Sequence, residues 1–321
     1  MASELGAPSG VSTPVQRIRR LFVVPMSLGD RRLPPLGVTV LAGIGATLLV
    51  IVAWYRWAVP SDEFAYWQAA QRLVAGQPPY DPNAVPGTPY AYWYPPPLAQ
   101  MLAPFTLVVP DGAFVAAWTL LLLGCLWFLG GGHPLTALAL VAYPFVAVEL
   151  WFRNVHLLLA VLVVLALRRS PLFWIPATAI KVTPVLGLVY LAAAGRWRSV
   201  AVVSAVGGGV LLVSVVLSPS IWTDFVAIVL SQGTTSGSSL LPVPYLLRFA
   251  VAAGLAAFAG RLGGVRGEVL LVVALVVGNP TLWATALSML IAAVPLVRAS
   301  SRGPTSKPST EHAHAEASVP A

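Results

Sequence analysis

Charge is what this 321-residue chain has least of: Asp, Glu, Lys and Arg make up 9% of it, while 58% is apolar. A soluble globular protein carries about 25% charge, so this one has too little polar surface to cover a water-facing sphere. A cytosolic enzyme, a secreted disulfide scaffold and a disordered regulator are excluded together, which leaves a polytopic membrane protein. Cysteine is nearly absent too. Cys125 stands alone in an apolar run, which rules out an intramolecular disulfide and reads as a small buried hydrophobe. The acids number 11 and the histidines 4, of which only His133 and His156 precede the tail; Lys181 and Lys307 are the lysines. Any chemistry that needs a base or a buried cation must draw on few groups.

What positive charge there is, a net +8, is mostly arginine placed beside apolar runs. That pattern marks cytoplasmic loops, not a nucleic-acid-binding stripe, and no nucleic-acid partner is expected. Residues 1–36, basic through Arg17, Arg19, Arg20, Arg31 and Arg32, are expected to be cytoplasmic and partly disordered. The stretch 36–58 is long enough to cross a hydrocarbon core of about 30 Å, so the chain emerges outside near Pro60. Arg168-Arg169, Arg196-Trp197-Arg198, Arg261, Arg266 and the tail from Arg298 then mark cytoplasmic turns. Residues 37–298 read as one membrane-embedded domain of roughly eight to ten helical segments, with 60–97 as a long external loop and 299–321 as a disordered cytoplasmic tail. The expected fold is an all-α transmembrane bundle in the plasma membrane, with both termini cytoplasmic. No internal repeat is visible.

The external loop opens with a helical pattern over 62–76. Phe64, Trp67, Ala70 and Val74 share a face, which suits a helix lying along the membrane surface, and Gly76 ends it. The rest of the loop cannot be regular helix, because proline recurs through it from Pro78 to Pro97. Beyond it, several apolar pieces are shorter than a full span or broken by proline. Such pieces can line a protein-enclosed cavity but cannot face lipid with open backbone.

An ionisable group inside the hydrocarbon costs from about 2.5 kcal/mol upward, so each one is a functional candidate. Lys181, between Ile180 and Val182 and just ahead of Pro184, sits at a turning point in the external half of the membrane. It is expected to hold an anion such as a lipid phosphate; pairing with a carboxylate such as Glu149 is the alternative. Arg248 lies thirteen residues before Arg261, about 20 Å away in a helix, so it too points to the external side, to a phosphate or to the interface. Arg153, with Asn154 and His156, is either an interfacial anchor or a polar site at a helix start. Carboxylates on the external side are few: Asp62, Glu63 and Asp81, with Asp111, Glu149 and Asp224 as further candidates. Asp62 either caps the helix it begins or serves as a general base for a hydroxyl. Tyr66 shares its face. Tyr80, Tyr90, Tyr92, Trp93 and Tyr94 either stack on a sugar or belong to the aromatic belt. No metal-ligating cluster is visible, and no metal or cofactor is expected.

Asp62, Tyr66, Ala69-Ala70, Leu73, Gly76 and Pro79-Tyr80-Asp81-Pro82, followed by Tyr94-Pro95-Pro96 and Pro104, resemble the first external loop of the bacterial polyprenol-phosphate-mannose-dependent mannosyltransferases, glycosyltransferase family 87. Asn154-Val155-His156-Leu157-Leu158 is similar to that family's Gly-Gln-Val-Asn-Leu-Leu element, Lys181-Val182-Thr183-Pro184 to its Lys-x-x-Pro element, and Gly278-Asn279-Pro280 with Trp283 to a late Pro-x-x-Trp stretch. Glu63 stands where the family has an apolar residue, and Arg153-Asn154 where it has Gly-Gln. The resemblance implies a GT-C membrane fold of actinobacterial type and an extracytoplasmic active site. There a sugar, mannose first, passes with inversion from a polyprenyl-phosphate donor to a glycolipid or glycan acceptor. Asp62 would be the base, Lys181, Arg248 and Arg153 the phosphate-binding cations, and Glu63, Tyr66, Tyr80, Asp81, Tyr94, Asn154 and His156 the acceptor or sugar contacts. Two other readings stay open: a lipid or small-molecule transporter built on broken helices, and an inactive membrane scaffold with the same fold.

Overall fold

The computed structural model describes residues 13–301 apart from 24, 29–30, 57–60, 81–90 and 233–239; Asp81 and Tyr90 lie outside the described residues. A short helix, α1 (Pro14–Val23), and a hairpin of β1 (Met26–Leu28) with β2 (Arg31–Leu33) occupy part of the segment read as partly disordered. Among the described residues, everything after the hairpin is helical or connecting loop. Four of the described helices are long and apolar enough to cross a membrane: α2 (Leu36–Arg56), α5 (Asp111–Leu129), α11 (Trp197–Leu217) and α13 (Tyr245–Leu262). Two shorter pieces, α6 (Pro134–Val141) and α7 (Pro144–Phe152), bent by 88° at their junction, form either a broken fifth span or a re-entrant loop. The chain is a multi-pass membrane protein of the all-α class.

The expected eight to ten segments thus resolve into four or five complete spans and a set of shorter apolar helices. The most central of these is α8 (His156–Arg168), followed by a 3-10 turn at Pro171–Phe173, α9 (Trp174–Ile180), another at Thr183–Val185, and α10 (Leu186–Ala193). Proline starts several pieces, at Pro134, Pro144 and Pro171, where its missing N–H costs nothing. Lipid cannot satisfy the open ends of such half-spans, so protein must surround them. Accordingly α8 is buried along most of its length, Leu157, Leu159 and Ala160 completely. Full spans, in contrast, leave apolar side chains outward, such as Val50 and Trp54 on α2 and Leu212 and Val216 on α11.

Small residues set the closest contacts. Gly45 of α2 lies directly beneath the Leu138 carbonyl of α6, where any Cβ would collide with backbone. At one end of the bundle, Arg168 closes α8 onto α14 (Gly264–Val277) with a forked pair to Glu268, at 2.9 and 2.5 Å.

The loop helix α3 (Asp62–Val74) departs from expectation. It packs on α4 (Pro96–Thr106) and α5 and buries Glu63, Ala65, Tyr66, Trp67, Ala69 and Ala70, while Val74 is exposed. Three alanines permit close approach, Trp67 stacks on Phe114 with ring centroids 4.4 Å apart, and its indole N–H donates to Asp111 at 2.6 Å. One face of the helix is therefore held against protein, with Glu63 buried in its first turn, while Gln71 and Val74 stay exposed. The reason is that Glu63 has a buried partner, which no helical periodicity displays.

Candidate active site

Asp62 is the first residue of α3, and its position is set by a knot of polar groups around Ser61. The Ser61 hydroxyl accepts from Arg56 at 3.1 Å and from Arg153 at 3.2 Å, and itself donates to the Trp151 carbonyl at 3.4 Å. Arg56 Nε donates to the same carbonyl at 3.2 Å. Arg153 forms an ion pair with Glu63 at 3.0 Å, both side chains being buried. A buried pair of this kind contributes little net stability, but it is costly to break on one side. The consequence here is geometric: α3 and the end of α7 are tied together immediately beside Asp62.

The turn between α7 and α8 supplies the next groups. Arg153 takes the left-handed conformation, φ 49°, as the non-glycine residue with positive φ among those described. This costs roughly 1 kcal/mol or more. It is held there by the Glu63 pair and by the Trp118 indole, which donates to the Arg153 carbonyl at 2.8 Å. The reversal turns Asn154 toward α3. Its amide nitrogen donates to Asp62 Oδ2 in a short hydrogen bond, and its carbonyl oxygen accepts from the Tyr94 hydroxyl at 3.1 Å and from the Val155 N–H at 2.7 Å. Tyr66 completes the row by donating to the Tyr94 hydroxyl at 3.0 Å.

Lys181 ends α9 in an extended conformation, φ −149°, because Pro184 interrupts the helical run and starts a 3-10 turn. Its ammonium lies 2.8 Å from His156 Nε2 and 5.8 Å from the centroid of the Tyr94 ring. His156 Nδ1 is 3.1 Å from Glu149 Oε2.

These groups meet at one cavity. Asp62, Tyr94, Asn154, His156 and Lys181 form its polar wall; Trp93, Phe225, Ile228, Val229 and Trp283 are among its apolar lining. Thr285 also lines it, and among the described residues neither its buried hydroxyl nor the Trp283 indole N–H has a hydrogen-bond partner. Burial pushes the Asp62 carboxyl up to about 6, against the opposing pull of the Asn154 hydrogen bond and the charges of Lys181 and Arg56. A carboxylate so tuned is ionised at neutral pH yet basic enough to take a proton from a hydroxyl.

Several expected site residues are engaged elsewhere. Arg248 is buried, and its guanidinium donates to the carbonyls of Val243, Asn279 and Pro280 at 3.1, 2.7 and 2.5 Å, with Val277 at 3.5 Å. It braces the turn that leads to Trp283, because the Val277, Asn279 and Pro280 carbonyls at the end of α14 have no helical partner. Arg153 and Glu63 pair with each other outside the cavity lining. Tyr66 and Tyr80 are buried supports: Tyr80 donates to the Tyr94 carbonyl at 2.9 Å and lies beside the rings of Tyr92 and Phe225. Asn154, His156 and Tyr94 do line the cavity. Sequence reasoning missed Phe225, Ile228, Val229 and Thr285, since three more apolar side chains and one threonine carry no signal in so apolar a chain. Glu149 appeared as a possible partner of Lys181 and as one of several external carboxylates, although an acid inside an apolar run is itself a stronger signal.

The fold and the site together define an integral-membrane protein with a carboxylate, a cation and an aromatic wall on one cavity. Residues 92–304 match glycosyltransferase family 87, well over half of the chain, and the chain belongs to that family: it is a glycosyltransferase. Tyr94, Asn154, His156 and Lys181 fall inside the matched stretch, and Asp62 precedes it. No curated protein and no solved structure matches the chain.

Proposed function

We propose that the protein transfers a sugar, mannose, from a polyprenyl-phosphate donor to a hydroxyl of a glycolipid or glycan acceptor, with inversion, on the extracytoplasmic face of the plasma membrane. The observation that carries this reading is the joint presence of Asp62 and Lys181 on one cavity. Asp62 takes the proton of the acceptor hydroxyl as its oxygen attacks the anomeric carbon; the bond from that carbon to the phosphate oxygen breaks, and the polyprenyl phosphate leaves with the electron pair. Lys181 faces the charge that grows on the leaving phosphate. One positioned base suffices for a single displacement, whereas a glycoside hydrolase needs two carboxylates.

A second feature supports a lipid-linked donor. An apolar groove lined by Trp174, Ile175, Ala179, Leu188, Gly207, Gly208 and Trp222 shares Pro95 with the polar cavity. Its small residues on α11 leave room for a chain, and its apolar walls suit a prenyl tail whose phosphate would reach Lys181. The donor thus brings its own activated leaving group, and no further cofactor enters the reaction.

The test is transfer of labelled mannose from polyprenyl phosphate mannose to membrane glycolipid by the purified protein in lipid. Wild type is expected to label the glycolipid, and Asp62→Asn and Lys181→Ala to abolish or strongly reduce labelling. Unchanged activity in both variants rejects the site. No transfer to any acceptor by the wild type rejects the function and favours transport or an inactive scaffold.

A further inference from the structure

Glu149 takes no part in the proton transfer described above, yet its carboxylate is completely buried within α7 and makes two separate kinds of contact. Oε1 accepts the backbone N–H groups of His156, at 2.6 Å, and Leu157, at 3.3 Å, and so caps the start of α8. Oε2 is directed elsewhere, to His156 Nδ1 at 3.1 Å. The far side of the same imidazole, Nε2, lies 2.8 Å from Lys181 Nζ. Among the described residues, no carboxylate is within ion-pair distance of Lys181, and His156 is its hydrogen-bond partner.

The proton positions follow from donor and acceptor chemistry. An ammonium only donates, so Nε2 must accept and carry no hydrogen. The imidazole is then neutral with its proton on Nδ1, where Glu149 Oε2 is the acceptor. The other tautomer would set an N–H against the ammonium and a bare nitrogen against the carboxylate.

We propose that Glu149 is a positioning residue for Lys181: acting through His156, it fixes the tautomer that holds the ammonium in the cavity. The inference rests on the reading of Lys181 as the group that holds the donor phosphate. Its chemical logic lies in what the imidazole separates. A carboxylate in direct contact with Lys181 would neutralise it and compete with the incoming phosphate. A neutral imidazole between them gives the ammonium a fixed direction, leaving its remaining N–H donors and its charge for the phosphate. The arrangement parallels metal-bound histidines, whose orientation is set by a carboxylate on the other ring nitrogen.

Glu149→Gln separates this role from helix capping. The amide oxygen keeps the bonds to the His156 and Leu157 N–H groups, but the NH2 group now donates to Nδ1, which drives the proton to Nε2, against Lys181. At metal sites, loss of such an outer partner costs about 10- to 100-fold in affinity or activity. The expected result is a rise of that order in KM for the polyprenyl-phosphate sugar, with thermal stability close to wild type. His156→Gln can place a side-chain oxygen near the Nε2 position whatever Glu149 does. In that background Glu149→Gln is expected to add almost nothing.

Nitrogen NMR of histidine-labelled protein, with the His156 signals identified by their loss in His156→Gln, reads the tautomer without any substrate: Nδ1–H in wild type and Nε2–H in Glu149→Gln. An Nε2–H or imidazolium form in wild type at neutral pH overturns the proposal. So does an unchanged donor KM in Glu149→Gln, or an equal penalty in both backgrounds, the mark of a cap alone. Wild-type protein that transfers nothing from a polyprenyl-phosphate sugar overturns the proposed function instead, and the nitrogen spectrum still decides the arrangement.

Discussion

Asp62 shows what a single buried carboxylate gains from its surroundings. Its carboxyl is pushed up to about 6 by burial, so it is the ionised, proton-accepting form only above that pH. Transfer measured as kcat/KM is therefore expected to rise as pH increases through about 6 and to level off beyond it, falling by about tenfold between that plateau and pH 5. Asp62→Asn should remove this limb and lower the rate by about 10² to 10⁴. A pH profile of the wild type that is flat from 5 to 8 would show that another group is the base. Glu63, one residue on, acts on stability instead. Glu63→Ala leaves the Arg153 guanidinium buried without its carboxylate, and breaking such a pair on one side costs about 3 kcal/mol or more. Thermal unfolding in detergent should show this as a lowered Tm, which Glu63→Gln restores in part.

Elements are placed by what their ends and small residues allow. The turn from α7 to α8 is the element that assembles the site, since the left-handed Arg153 sends Asn154 to Asp62 and His156 to Lys181 within a few residues. Its companion is the contact of α2 with the bent α6–α7 pair. Gly45→Leu must push α2 away from the Leu138 carbonyl, and overpacking of this sort costs about 1–3 kcal/mol. Lower thermal stability is expected, together with reduced activity, because α2 leads directly into the Ser61 knot. Normal Tm for Gly45→Leu would mean that the two helices can separate without penalty. The helical periodicity of α3 was legible from Phe64 and Trp67, but its orientation was not. Which face goes inward depended on Arg153, 90 residues away, accepting Glu63 as a partner.

At the scale of the whole molecule, the polar cavity and the apolar groove meet at Pro95. If the groove takes the donor's tail, affinity scales with the apolar chain it buries, at about 0.8 kcal/mol per CH₂. A donor cut to a short prenyl chain should then show a KM raised by tenfold or more, roughly the effect of 1.4 kcal/mol. Gly208→Leu, at a position with open space around it, should raise KM for the long donor and spare the short one. Equal KM values for both donors would place the tail elsewhere.

Composition alone determined that the chain lives in a membrane, because too few charges exist to face water, and scarcity drew attention to Lys181 and to a few external carboxylates, among which the family resemblance pointed to Asp62. The Lys-x-x-Pro break was legible locally: a proline inside a helical run removes a backbone hydrogen bond, and α9 ends ahead of Pro184. Tertiary structure decided the rest. Arg153 and Arg248 looked like further phosphate ligands, but one is paired with Glu63 and the other with backbone carbonyls left open at a helix end. A cation's partner is set by what folding brings within about 3 Å of it. Those neighbours come from distant segments, and no local pattern records them.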